Sequence, residues 1–171
     1  MNKRFLIASG GTGGHFYPGL ALGKELRRQG FAVLFVVRKN DPAAQILDTH
    51  KLRYKEIDFT GLPRSVNPLR HLKFWAKFFK SLNQTRRIIK DFRPDAAVGT
   101  GGYISFPLIF TAHFMGVKTA VHDSNARLGL ATRERTALAD GVSQGAPVEK
   151  KSGKWGLSGT RMRRDSADAA D

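Results

Sequence analysis

The 171-residue chain contains no cysteine. That excludes disulfides and thiolate metal ligands, and it fits a reducing compartment. No stretch approaches the ~20 apolar residues that a membrane-spanning helix needs. The opening Met1-Asn2-Lys3-Arg4 leads into an apolar run too short for a signal peptide. A soluble or peripheral protein on the cytoplasmic side is therefore expected. There is no low-complexity tract and no short-period repeat. The five histidines (His15, His50, His71, His113 and His122) show no metal-ligand spacing, so neither a metal nor another cofactor is expected. Acidic residues are also scarce, 14 against 29 Lys and Arg, for a formal charge of +15.

Such a field attracts polyanions: nucleic acid, an anionic membrane or phosphorylated substrates. It is uneven. Between Lys51 and Arg93 there are twelve Lys or Arg and only three acids, Glu56, Asp58 and Asp91. Localised charge suggests a patch with a purpose, the plainer alternative being a generally basic surface. The remaining composition, 41% hydrophobic and 25% charged, is that of an ordinary globular domain.

Strand-like and helix-like segments alternate. Lys3–Ala8 reads as a buried strand, Pro18–Gln29 as a helix stopped by Gly30, and Phe31–Val37 as a second strand, which together make a βαβ unit. Arg38–Asp48 turns helical, Leu52–Ile57 is a short strand, and the Gly- and Pro-bearing stretch 60–68 is a loop. Leu69–Lys90 is the longest helical segment. Asp95–Gly99 is a strand, Ser105–Met115 a helix and Lys118–Val121 a strand that runs into His122-Asp123-Ser124-Asn125. A helix over Ala126–Ala139, strands at Asp140–Ser143 and Trp155–Ser158, a loop over Gly145–Gly153 and a polar, disordered tail over Asp165–Asp171 complete the reading. The fold class is α/β, a Rossmann-like doubly wound parallel sheet.

In such a sheet ligands gather beyond the carboxyl ends of the strands. Three polar segments follow strands here: Gly10–His15, Thr100–Tyr103 and His122–Asn125. The first places four glycines in five positions beside a histidine, with a helix to follow. Glycine lets the backbone approach a ligand closely, and the N–H groups of a helix's first turn favour anions. The plainer reading is a tight turn with no ligand. Phe16 breaks the GxGxxG dinucleotide fingerprint, and no Gly-Lys-Ser/Thr follows, so neither a nicotinamide dehydrogenase nor a P-loop NTPase is indicated.

Along Leu69–Lys90, Leu72, Trp75, Phe79, Leu82 and Ile89 recur at helical spacing, widened by Phe74 and Phe78. Arg70, His71, Lys73, Lys77 and Lys80 are interleaved with them. Part of this face must meet the core. The rest suits a membrane interface, with rings at headgroup depth and bases on anionic lipid, so Leu72, Phe74, Trp75, Phe78, Phe79, Lys73, Lys77 and Lys80 are candidate membrane contacts. A nucleic-acid module ranks third, because no nucleic-acid motif accompanies the charge.

The run Gly10-Gly11-Thr12-Gly13-Gly14-His15-Phe16-Tyr17-Pro18 resembles the opening loop of the MurG family, the UDP-N-acetylglucosamine transferases that convert lipid I to lipid II. Three further segments agree in order: Gly61-Leu62-Pro63-Arg64, Gly99-Thr100-Gly101-Gly102-Tyr103-Ile104-Ser105-Phe106-Pro107 and His122-Asp123-Ser124-Asn125-Ala126. Gly159-Thr160-Arg161-Met162-Arg163 is similar to the family's interdomain Gly-Asn-Pro-Val-Arg. Asp123 and Ser124 stand where the family has Glu and Gln, and Thr160-Arg161 where it has Asn-Pro. The resemblance covers the N-terminal half of such an enzyme only.

It implies a GT-B glycosyltransferase whose acceptor and membrane-binding domain is residues 1–164, ending in the interdomain linker. Thr12, Gly13, Gly14, Asn125 and Arg163 match positions that touch UDP-GlcNAc, and His15 matches the proposed base. Gly11, Gly101, Gly102 and Tyr103 are expected at the acceptor's diphosphate. The implied partners are the lipid-linked diphosphate acceptor, UDP-GlcNAc and the anionic inner face of the plasma membrane. An imidazole suits removal of the acceptor hydroxyl's proton, although His15 could equally hold the loop by a structural hydrogen bond. The donor half is expected elsewhere, and three explanations stand: an excised domain, a separate donor chain, or a diverged paralogue kept for binding. The rival to the enzyme is a non-catalytic basic module for anionic membrane or polyprenyl diphosphate.

Overall fold

Short runs of apolar residues build a parallel sheet because helices can return the chain across both of its faces. A computed structural model of the chain describes residues 2–11, 13–59, 61, 68–123, 141–144 and 155–157, with backbone only at 13, 68, 70, 123, 141–144 and 155–157. The elements are β1 (Arg4–Ala8), α1 (Gly13–Arg28), β2 (Ala32–Arg38), α2 (Ala43–Thr49), β3 (Tyr54–Ile57), α3 (Pro68–Phe92), β4 (Ala96–Gly99), α4 (Ser105–Phe114), β5 (Lys118–Asp123), β6 (Gly141–Gln144) and β7 (Trp155–Leu157). The strands form one sheet in the order β3-β2-β1-β4-β5-β6-β7, every neighbouring pair parallel. The expected α/β Rossmann-like sheet is present.

Alternate residues of the inner strands feed two cores. Leu6, Ala8, Leu34, Val36 and Ala97 meet Ile89 of α3 and Leu108 of α4 on one face. Ile7, Val33, Phe35 and Val37 meet Phe16 and Leu20 of α1 and Leu47 of α2 on the other. Both faces are covered, so β1 and β2 carry unbroken apolar runs instead of alternation.

The chain order reverses between β1 and β4. Ala8 is level with Val36 of β2 and with Gly99 of β4, so the loops after these strands open on one edge. This is the switch point of the sheet.

Three expectations change. Helix α1 begins at Gly13, five residues before Pro18, which lies inside it. Strand β5 continues through His122 and Asp123. The apolar stripe of α3 divides: Ile89 is buried, but Leu72, Trp75 and Phe79 are exposed. Ser81 and Thr85 take part of the inward side, and Thr85 Oγ1 donates to the Ser81 carbonyl at 2.8 Å while Ser81 Oγ donates to Phe78 at 2.7 Å. Hydroxyls satisfied along their own helix can be buried cheaply. Gly30 does end α1's segment, at φ +85°, with its N–H on the Arg27 carbonyl and that of Phe31 on Leu26. The helix expected over Ala126–Ala139, the loop over Gly145–Gly153 and the Asp165–Asp171 tail lie outside the described residues. No helix among the described residues is long and apolar enough to cross a membrane.

Candidate functional site

Two glycine loops meet at the switch point. The first follows β1, with Gly11 at φ +79°; the second follows β4, with Gly101 at +102° and Gly102 at +69°. L-residues with a side chain are strained there, so glycine sets the shape of both turns. A Cβ on Gly102 would lie 3.5 Å from the Gly10 carbonyl oxygen, so the two loops run side by side. The His15 ring, in the first turn of α1, packs on Gly101 so closely that a Cβ there would overlap it. His15 Nδ1 is buried and has no hydrogen-bond partner. That atom is sealed from solvent, so a ligand could meet only the rest of the half-buried ring.

A proline inside a helix withholds one N–H and opens the turn before it. Hydroxyls from the strand ends reach the carbonyls of the turn before Pro18. Thr100 Oγ1 donates to the His15 carbonyl at 2.9 Å, and Ser9 Oγ lies 3.2 Å from the Phe16 carbonyl. Gly19 permits the approach, since a Cβ there would meet Thr100 Oγ1 at 2.9 Å and overlap Ser9 Oγ. On the other side, Ser105 Oγ donates to the Gly101 carbonyl at 2.6 Å. Ser9, Thr100 and Ser105 are all buried, so this hydroxyl clasp works where bulk water does not compete. The N-termini of α1 and α4 both open on this edge, which favours negative charge.

Asp41, from the turn between β2 and α2, was not among the residues singled out from sequence. The residue is 4% exposed. Oδ2 accepts the Gly11 N–H at 3.0 Å and Oδ1 the Ala43 N–H at 3.0 Å. Gly11 therefore contributes a left-handed turn whose N–H is already committed. The available signal was an acid two residues before a helix, Asp41-Pro42-Ala43.

The remaining candidates divide. Nothing in the chain lies within 4 Å of a Cβ built on Gly14, so that position faces open space. Gly13 is the first residue of α1. Tyr103 is exposed, and its ring covers Gly61, where a Cβ would come within 2.8 Å. His122 and Asp123 pair in register with Ser143 and Gln144 of β6. Thr12, Asn125 and Arg163 lie outside the described residues. On α3, Leu72, Trp75 and Phe79 are exposed, at 68%, 50% and 63%. Phe74 and Phe78 are partly buried against the core. Rings run on from Phe78 through Phe106 and Phe110 to exposed Phe114 of α4. Lys73 is exposed. Lys77 and Lys80 pair with Asp58 at 3.3 and 3.4 Å. Burial raises the Asp58 pKa, but hydrogen bonds and charge from Lys77 and then Lys80 outweigh it and hold the carboxyl below its ordinary value.

Residues 5–143 match the family model for the glycosyltransferase family 28 N-terminal domain. The chain is 50% identical over 163 residues to a UDP-N-acetylglucosamine–N-acetylmuramyl-(pentapeptide) pyrophosphoryl-undecaprenol N-acetylglucosamine transferase of Elusimicrobium minutum, covering 95% of this chain and 45% of that protein. The protein of the same name from Lactococcus lactis subsp. cremoris (strain MG1363) is 34% identical, over 98% of this chain and 48% of its own length. The crystal structure of Acinetobacter baumannii MurG superposes with a TM-score of 0.81 at 27% identity, covering 99% of this chain and 50% of that one. The architecture is thus that of the N-terminal domain of a GT-B glycosyltransferase. The chain spans about half the length of these relatives.

Proposed function

The chain belongs to glycosyltransferase family 28 through its N-terminal domain, and from that premise we propose that it is the acceptor-binding half of an inverting N-acetylglucosaminyltransferase. The reaction moves GlcNAc from UDP-GlcNAc to lipid I in peptidoglycan synthesis. The observation that carries this reading is the meeting of the two left-handed glycine loops at the switch point, with the His15 ring packed against Gly101.

In this reading the acceptor's diphosphate rests on the loop of Gly101, Gly102 and Tyr103, shaped from below by Gly11. The N-termini of α1 and α4 offset its charge. Thr12, Gly13, Gly14, Asn125 and Arg163 reach the donor, whose UDP is held mainly by a C-terminal domain. His15 accepts the proton of the acceptor sugar's 4-hydroxyl as that oxygen attacks the anomeric carbon. The bond to UDP breaks with inversion, and UDP departs with the electron pair. No cofactor enters. The acceptor domain comprises residues 1–164, ending in the linker, and 165–171 are a polar tail.

The same half carries the membrane contact. Leu72, Trp75 and Phe79 offer apolar surface, Phe74 and Phe78 support it, and Lys73, Lys77 and Lys80 border it. Such a face suits peripheral attachment to the anionic cytoplasmic side of the plasma membrane. A donor-binding half, on the same chain or a separate one, completes the enzyme.

The test is reconstitution. Joined to the C-terminal half of the Elusimicrobium minutum relative, the chain should transfer labelled GlcNAc to lipid I, and neither half should do so alone. If both halves fold and associate yet transfer nothing, while the chain still binds anionic vesicles, the non-catalytic membrane module replaces the enzyme.

A further inference from the structure

We propose that Asp41 is a positioning residue for the diphosphate cradle, an inference that rests on the acceptor reading above. A buried carboxylate beneath an anion site opposes anion binding by its charge, so its presence there calls for a compensating role. The geometry supplies one. The turn that carries Asp41 is fixed by Asn40 at φ +59°, by the Asp41 N–H on the Arg38 carbonyl at 3.1 Å and by the Lys39 N–H on the Ile57 carbonyl at 3.0 Å. From this anchor one carboxylate oxygen holds Gly11, and the other holds Ala43 at the start of α2. Arg38 Nε lies 4.0 Å from Oδ2 and leaves the negative charge partly balanced.

The constraint passes onward. A Cβ on Gly10 would sit 3.1 Å from Asp41 Oδ2, and the Gly10 carbonyl oxygen is the atom that a Cβ on Gly102 would meet, at 3.5 Å, so the two loops are neighbours. Asp41 therefore supports the first loop, and the first loop supports the second. An ångström of movement at Gly11 would be felt at Gly102, where the diphosphate is expected. Asp41 touches no reacting atom and acts through the shape of Gly10 and Gly11.

Asp41→Asn tests this by sign. Asparagine keeps the shape and one acceptor oxygen, so it can satisfy Gly11 or Ala43 but not both, and it removes a negative charge below the site. If charge were all that mattered, pyrophosphate would bind more tightly. A positioning role predicts weaker binding by about tenfold, the scale of one lost hydrogen bond. The measurement is titration of the 15N-labelled chain with inorganic pyrophosphate, read at the Gly101 and Gly102 amides. Asp91→Asn, the same charge change on an exposed residue in the last turn of α3, serves as the control. Before any ligand is added, Asp41→Asn should already shift the Gly101 and Gly102 amides and the His15 ring resonances. Pyrophosphate affinity unchanged or raised in Asp41→Asn overturns the proposal. If the unaltered chain does not bind pyrophosphate, the acceptor reading fails separately. The ligand-free spectra then decide on Asp41: shifts confined to Gly11 and Ala43 refute its positioning role, and shifts reaching Gly101 and Gly102 support it.

Discussion

The ring of His15 packs against the backbone of Gly101 with no room for a methyl group between them. His15 lies in the first turn of the helix after β1 and Gly101 in the loop after β4, so the contact measures how the halves of the site are held together. Gly101 is also left-handed, at φ +102°.

Gly101→Ala should therefore cost more than a left-handed glycine in open space. Gly116, at φ +72° with nothing near its Cβ position, supplies the comparison. Gly116→Ala should lose about 1–2 kcal/mol from backbone strain alone. Gly101→Ala should lose more and also displace His15, as urea unfolding and the His15 ring resonances would register.

Gly14→Ala separates stability from function. The position is helical and open, so alanine should leave the stability unchanged or raise it slightly, by up to ~0.5 kcal/mol. If Gly14 contacts the donor as proposed, KM for UDP-GlcNAc should rise in the reconstituted enzyme. Unchanged kinetics would remove Gly14 from the site.

On α3 the exposed and half-buried rings should behave differently. Phe79→Ser should leave the melting temperature nearly unchanged while weakening binding to anionic vesicles. Phe78→Ala should destabilise the fold by roughly 2–4 kcal/mol, because Phe78 meets Phe59, Phe74 and Phe106. Equal vesicle binding by the unaltered chain and Phe79→Ser would remove the membrane reading from this face.

The Asp58 carboxyl, held down by Lys77 and Lys80, gives a pH dependence of known sign. A lowered folded value means that the unfolded chain binds the proton first, so stability falls in acid. The contribution is complete above the ordinary carboxylate value of about 4 and is lost as pH drops through the lower folded value. With the carboxylate and both lysines partly exposed, it should be ~0.5 kcal/mol. The stability gap between the unaltered chain and Asp58→Asn should be flat from pH 7 to 5 and close below pH 4.

Apolar runs and glycine punctuation made the sheet legible from sequence, and the strand–glycine–helix pattern at Gly10–His15 and Thr100–Tyr103 marked the site. Pro18 misled because proline usually sits in a helix's first turn; here the hydroxyls of Ser9 and Thr100 meet the carbonyls around it. The inward face of α3 was obscured because Ser81 and Thr85 read as polar, yet each is satisfied within its own helix. Asp41 was invisible for another reason. Its partner Gly11 lies thirty residues earlier, and only the pairing of β1 with β2 brings them together.

The central claim is that His15, where the glycine loops meet, takes the proton from the acceptor hydroxyl. The most direct measurement is the rate of GlcNAc transfer to lipid I by the chain joined to a family donor domain, with His15 and with His15→Gln. A fall in kcat of about 10²-fold or more is expected, with acceptor and pyrophosphate binding retained. A kcat unchanged by His15→Gln, in a folded and otherwise competent enzyme, would contradict it.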